Sequence, residues 1–226
     1  MPGRVLLLVI FLGLPAAARA LPECRYSDWR DALLSDLQVC SEQGHGQARF
    51  WLGRRYDAGN IVVESPERAA DLYRLALGDG IAEAGLRLGR LYETGRGVVR
   101  DREQAAALYL AAADTGLPEA QYRYARLRDD ARGADKDRKA AAVWYRRAAL
   151  QGHAPAQYRL GRLYARGDNV ERSLVETFAW WKIASVNGHI GARWELKRLS
   201  EQLTVEQFAA GRRLIHERES TAIKYQ

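Results

Sequence analysis

Small and apolar residues recur along this chain at a fixed spacing of 36. Ala48, Ala84, Ala120, Ala156 and Ala192 form one column, and Gly44, Gly80, Gly116, Gly152 and Gly188 form a second. Leu52, Leu88, Tyr124, Leu160 and Leu196 make a third, and Tyr73, Tyr109, Tyr145 and Trp181 a fourth. No insertion breaks the register across about four copies. A constant period of this length indicates stacked supersecondary units, each too small to bury its own apolar face and dependent on its neighbours.

Residues 84–119 show the unit most cleanly. Ala84, Leu88, Gly89, Leu91 and Tyr92 fall on one side of a helix at ~100° per residue. Gly95-Arg96-Gly97 breaks that helix, and Asp101 is placed to cap a second one carrying Ala105, Leu108, Tyr109, Ala112 and Ala113. Gly116 ends it. Helix, turn, helix, turn predicts an all-α, right-handed solenoid of antiparallel helix pairs over residues 48–203, capped by segments 21–47 and 204–226. Gly53, Gly89, Ala125 and Gly161 lie mid-helix, where glycine costs about 1 kcal/mol relative to alanine. That cost is tolerable if the missing side chain lets the second helix approach closely. Thr204 and Gln207 have the spacing of a capping box that opens a last helix through about Glu217.

The run L-G-R-L-Y-E-T-G-R-G-V from Leu88 to Val98, followed by A-L-Y-L-A-A-A-D-T-G from Ala107 to Gly116, closely resembles the Sel-1-like repeat of TPR-like solenoids. Leu160-Gly161-Arg162-Leu163-Tyr164 repeats it, and the resemblance covers roughly residues 44–203. It implies a binding module of the adaptor, envelope-assembly or regulatory kind. Some exported relatives act as immunity proteins that inhibit a secreted antibacterial toxin, and others serve in exopolysaccharide export. The third copy departs from the pattern, with Arg128 in place of the tyrosine and Ala131 in place of the turn glycine. Its charged linker, residues 128–139, is a candidate protruding contact. In the fourth copy Gly167-Asp168-Asn169 replaces the G-x-G turn.

Ahead of the repeats, Met1-Pro2-Gly3-Arg4, the apolar run from Val5 to Leu14 and Ala18-Arg19-Ala20 read as a removable secretory signal over residues 1–20. The apolar run is too short to span a membrane, and no transmembrane anchor is expected elsewhere. Export places the protein in the periplasm. Without Arg4 and Arg19 the formal charge falls from +7 to +5. Export and the intermixing of acids with bases both argue against nucleic acid as the partner. The two cysteines, Cys24 and Cys40, read as a disulfide in an exported chain. The other reading is two thiols, with Cys40 buried in the small-residue column of Ala76 and Ala112.

Catalytic signatures are missing from the sequence. His45, His153 and His189 follow repeat glycines and lie too many repeats apart to share a metal, and His216 lacks the second histidine of a zincin helix. There is no G-x-S-x-G, no serine followed three residues later by lysine, and no phosphate-binding glycine loop. A disulfide-rich branch of the resembled family is linked to β-lactamase-like activity, but it carries a cysteine pair per repeat. A non-enzymatic protein without cofactor or metal is expected, with a cell-wall hydrolase as the discounted alternative.

An arginine ladder rises above this scaffold. Arg54, Arg90, Arg126, Arg162 and Arg198 share one column, and Arg87, Arg123 and Arg159 lie three residues earlier in the same helices. Their helical angles point away from the apolar face. By resemblance the first helices line the concave side, so the ladder is expected to face the groove where partners bind. Asp57, Glu93, Asp129 and Glu201 each follow a ladder arginine by three residues, the spacing of a local ion pair. The fourth repeat lacks that acid, because Ala165 occupies its column, so Arg159, Arg162 and Arg166 form the expected centre of recognition. Arginine suits carboxylates, which its planar fork binds in a bidentate way. The expected partner is another protein, and the alternative is an anionic polysaccharide.

Overall fold

The computed structural model describes residues 24–25, 28–59, 61–130, 138–168 and 170–223. The signal segment 1–20, residues 131–137 of the charged linker and Asn169 lie outside them. The described residues contain only helices and connecting turns. A 3-10 turn (Trp29–Asp31) precedes α1 (Leu34–Glu42). Four helix pairs follow: α2 (Gly46–Ala58) with α3 (Pro66–Gly78), α4 (Ala82–Thr94) with α5 (Arg102–Asp114), α6 (Pro118–Asp130) with α7 (Arg138–Leu150), and α8 (Ala154–Arg166) with α9 (Leu174–Val186). The chain ends in α10 (Ile190–Ser200) and α11 (Val205–Ile223).

From α1 to α10 each helix packs on the one before it and the one after it, giving a solenoid, and α11 packs on α9. The core is accordingly a chain of small clusters rather than one nucleus, as a one-dimensional stack requires. The mid-helix small column and the aromatic column meet within each pair. A β-carbon on Gly53 would lie 2.9 Å from the Tyr73 ring, one on Gly89 2.7 Å from Tyr109, and one on Gly161 2.5 Å from Trp181. The rings press closely on the first helix, and Tyr73, Tyr109 and Tyr145 are fully buried. Close approach therefore offsets the helix-propensity cost of glycine.

The turn glycines Gly44, Gly80, Gly116, Gly152 and Gly188 all take positive φ, between 85° and 96°, which only glycine adopts without strain. Of the three histidines that follow them, His153 and His189 have a structural role that periodicity alone does not reveal, whereas His45 makes no side-chain cap. His153 Nδ1 accepts from the backbone N–H of Ala156 at 3.2 Å, and His189 Nδ1 from that of Ala192 at 3.0 Å, so both cap helices. Their rings also stack on the preceding repeat, His153 against Tyr122 at 4.9 Å and His189 against Tyr158 at 4.3 Å between centroids. Trp194 continues that aromatic column and, with no repeat after it, is left 69% exposed.

The ends are closed differently. Cys24 and Cys40 form a disulfide with Cα atoms 5.7 Å apart, tying the segment before α1 to that helix. At the other end the Thr204–Gln207 capping box forms as the spacing requires, with reciprocal bonds of 3.0 and 3.2 Å. The helix it opens runs to Ile223, beyond the expected end near Glu217. It docks on α9, where Gly211 meets Phe178 and Arg218 pairs with Glu176 at 2.6 Å. No helix among the described residues is long and apolar enough to cross a membrane.

Candidate functional site

The ladder arginines sit on the first helix of each pair, on α2, α4, α6, α8 and α10. Apart from Arg166 and Arg198 they are half-buried, and Arg123, Arg126 and Arg159 reach across the seams between repeats. The three-residue ion pairs expected within each helix give way to pairs across the seams. Glu93 is held by Arg123 and Arg126 of the following repeat. Asp129 lies 3.9 Å from Arg159 of the next repeat, and Asp130 lies 4.0 Å from the same arginine. Asp57 is engaged by Arg96, at 3.2 Å, whose other nitrogen reaches Glu64 at 2.6 Å. Arg198 pairs with Glu195 at 3.6 Å, not with Glu201. In the second and third repeats the acid stands at the C-terminal end of its first helix, within reach of the long guanidinium side chains in the middle of the next first helix.

Each seam also receives a tyrosine hydroxyl from the second helix. Tyr109 Oη donates to Glu93 Oε2 at 2.8 Å, and Tyr145 Oη to Asp129 Oδ2 at 3.5 Å. Burial, reinforced by the neighbouring carboxylate, pushes the pKa of both phenols up. Arg123 is also disfavoured by burial, but Glu119 and Tyr109 more than offset that and raise its pKa. The second seam is thus internally neutralised: Glu93 is held between two guanidinium groups and a phenol, and Glu119 on Arg123 balances the second positive charge.

The first seam is different. Tyr73 Oη is buried without a hydrogen-bond partner among the described residues. Arg54, Arg87 and Arg90 stand near enough to pull its pKa down, against burial and Asp57, which push it up. None of the three arginines takes part in an ion pair among the described residues. Arg54 lies over the Trp51 ring at 4.3 Å, and its own pKa is lowered, first by burial and then by Arg87, with Arg30 and Arg55 adding to it. Three guanidinium groups thus act on one phenol, and the acid that also acts on it, Asp57, is itself engaged by Arg96.

In the fourth repeat Arg159 is already turned towards Asp129 and Asp130, and its pKa is raised, burial being outweighed by Tyr145, Tyr122 and the two acids. Arg162 rests over Tyr158 at 5.9 Å, and Arg166 is exposed. Of the expected Arg159–Arg162–Arg166 centre, Arg162 and Arg166 form no ion pair among the described residues, and Arg54, Arg87 and Arg90 likewise form none. Sequence analysis places Arg54, Arg87 and Arg90 in the ladder but weights the fourth repeat above them, because Asp57 follows Arg54 at ion-pair spacing. The usable signal was Arg96, inside the G-x-G turn, which competes for the same acid. Among the described residues no cluster of three or more His, Cys, Asp or Glu side chains could hold a metal ion.

The Sel1 repeat matches this chain four times, at residues 46–79, 82–117, 118–153 and 154–189. A Sel1 repeat protein from Oxalobacter formigenes is similar in structure, with a TM-score of 0.67 at 28% identity, covering 72% of this chain and 65% of that one. The protective antigen c5321 of uropathogenic Escherichia coli, which has an SLR fold, gives 0.54 at 26% identity, with 82% and 48% covered. The chain thus spans less than two thirds of the length of each of these two. The immunity protein Pa5087 from Pseudomonas aeruginosa shares the fold at 21% identity, with a TM-score of 0.50 and coverage of 92% and 78%. No curated protein matches significantly. Sel1 repeat proteins mediate protein–protein interaction, and with four consecutive copies the chain belongs to the Sel1 repeat family.

Proposed function

We propose that this protein is an exported, non-enzymatic binding module of the periplasm that holds another protein in a concave groove lined by its first helices. The observation that carries the reading is the first seam, where Arg54, Arg87 and Arg90 act on the buried, unpartnered phenol of Tyr73 and form no ion pair among the described residues. Desolvated guanidinium groups that repel one another gain most from an incoming carboxylate, which relieves repulsion while forming charge-assisted hydrogen bonds. Arg162 and Arg166 extend the stripe towards the other end. As the finer reading, the partner is a secreted toxin that the module inhibits. That reading is supported by the resemblance to the Sel-1-like family, some of whose exported members are immunity proteins, and by the fold shared with Pa5087.

The test is affinity capture from the source organism's envelope extract at physiological salt, with the wild-type protein and an R54E/R87E/R90E variant as parallel baits. A single stoichiometric protein retained by the wild type and lost by the variant supports the groove, and that protein's own activity then decides between toxin and assembly partner. Equal retention by both baits rejects the arginine seam as the binding surface. Retention of a polyuronate instead, with binding that weakens steeply as salt rises, rejects a protein partner in favour of an anionic glycan.

A further inference from the structure

The C-terminal end of the stack holds a second surface, independent of the arginine seams. In α2, α4 and α8 the column that receives the aromatic ring of the second helix is glycine. In α10 the same column holds Lys197, whose side chain would stand where that ring belongs. No second helix docks there, because α11 swings onto α9 and seats Gly211 against Phe178. A cleft of about 750 Å³ is left between α10 and α11, floored by α9.

Its floor is apolar: Phe178, Ile183, Val186, Leu196, Phe208 and Ile215. Val186 is 70% and Phe208 41% exposed, so the apolar strip is open to water along one side. Around it stand Lys182, Arg193, Lys197 and Arg212, and no aspartate or glutamate lines the cleft. None of these four cations takes part in an ion pair among the described residues. Positions 193, 197 and 200 on α10 and 208, 212 and 215 on α11 follow i, i+4, i+7, so each wall is one helix face about two turns long.

We propose that this cleft seats an acidic amphipathic helix of a partner protein, which takes the place of the second helix that α10 lacks. The walls have the length and spacing that helix-in-groove recognition uses. The incoming apolar stripe would cover the strip from Phe178 to Ile215, and flanking Glu or Asp residues would meet the four cations. Charge complementarity selects an acidic occupant. It also disfavours a second copy of this chain, whose formal charge is +7. A long-chain amphiphilic anion fits less well, because a ligand-sized molecule calls for a pocket that encloses most of its surface, whereas a helix keeps its outer face in water.

The experiment uses the purified protein and fluorescent peptides of roughly 16 residues, read by anisotropy. One has leucines at i, i+3, i+4, i+7 and glutamates elsewhere. A second has the same composition in an order without a stripe, and a third keeps the stripe with lysine for glutamate. The first should bind at least about tenfold tighter than either control. A K197E/R212E variant should invert the preference between the acidic and basic peptides. The exposed V186D substitution should abolish binding of the acidic peptide with the circular dichroism unchanged, while R54E/R87E/R90E leaves that binding intact. Equal binding of the striped and rearranged acidic peptides, or a preference that survives K197E/R212E, overturns the proposal. So does saturable binding of monomeric laurate that excludes the striped peptide and is lost in K197E/R212E, since the cleft would then belong to an amphiphilic anion.

Discussion

Tyr109 donates a hydrogen bond from its buried hydroxyl to Glu93, 2.8 Å away, at the seam where Arg123 and Arg126 also converge. The equivalent hydroxyl one repeat earlier, on Tyr73, is just as buried and has no such partner. The two phenols fill the same column and press on the same glycine column, so their contrast isolates the polar contribution. Tyr109→Phe removes a hydrogen bond to a charged acceptor and should cost about 1–2 kcal/mol. Tyr73→Phe removes a desolvated, unsatisfied group and should be neutral or slightly stabilising. Urea unfolding of the two variants gives the comparison, and equal losses would show that the Tyr73 hydroxyl is satisfied after all.

Gly161 is a steric requirement rather than a tolerated weakness. The Trp181 ring that covers it is fixed by an indole N–H bond to the Tyr158 carbonyl at 3.2 Å, so it cannot swing aside without losing that bond. Gly161→Ala places a β-carbon 2.5 Å from the ring and should destabilise by about 1–3 kcal/mol despite the better helix propensity. Gly78 is the counter-case, since nothing lies within 4 Å of a β-carbon built there. Gly78→Ala should stabilise by about 0.5 kcal/mol. Thermal melts of both variants check the pair, and opposite signs are required.

The solenoid was legible because the same contact is written four times. Ala48, Gly44, Leu52 and Tyr73 recur for reasons that are local to one helix pair and its neighbour, so the period alone recovers helices, turns and packing faces. The ladder arginines were legible as a column for the same reason. Their partners were not, because the carboxylate of Glu93 belongs to the next repeat's Arg123 and Arg126, some thirty positions on, and helical spacing suggests only Arg90. The capping role of His153 and His189 was hidden likewise, since a residue that follows a recurring glycine looks like a passenger until its ring is seen to meet a backbone N–H. The cleft at α10 depends on Lys197 breaking a small-residue column, a signal present in the sequence but readable only once that column's contact is known.

His189 makes the C-terminal repeat sensitive to acid. Burial lowers its pKa, its own backbone opposes that, and Arg159 nearby lowers it further. A histidine whose folded pKa lies below its unfolded value of about 6.5 is bound preferentially as the neutral ring. Its contribution to stability is therefore present above that value and is lost as the pH falls through the folded pKa. Protonation at Nδ1 would also remove the acceptor that caps α10 at Ala192. Asparagine keeps a capping acceptor and does not titrate. Melting temperatures at about pH 7.5 and about pH 5 should fall further for the wild type than for His189→Asn. An identical fall in both would place the acid sensitivity elsewhere.

Arg87 separates binding from stability. It contributes to lowering the pKa of Arg54, second only to burial, and it has no ion-pair partner among the described residues. A group kept in a repulsive position contributes little to the folded state, so Arg87→Gln should leave the melting temperature unchanged or raise it slightly. Arg126, held by Glu93, is the control: Arg126→Gln strips a partner from a carboxylate whose side chain is only 16% exposed and should lower stability by about 1–2 kcal/mol. If the first seam is where a partner's carboxylate docks, the order reverses for binding. Arg87→Gln should then weaken the captured complex by about tenfold or more, whereas Arg126→Gln should change it little once both proteins are compared well below their melting points. Calorimetric titration of the captured partner against the two variants supplies the measurement. A stability loss in Arg87→Gln would mean that its charge is compensated within the fold, and the seam would lose its claim to be waiting for an anion.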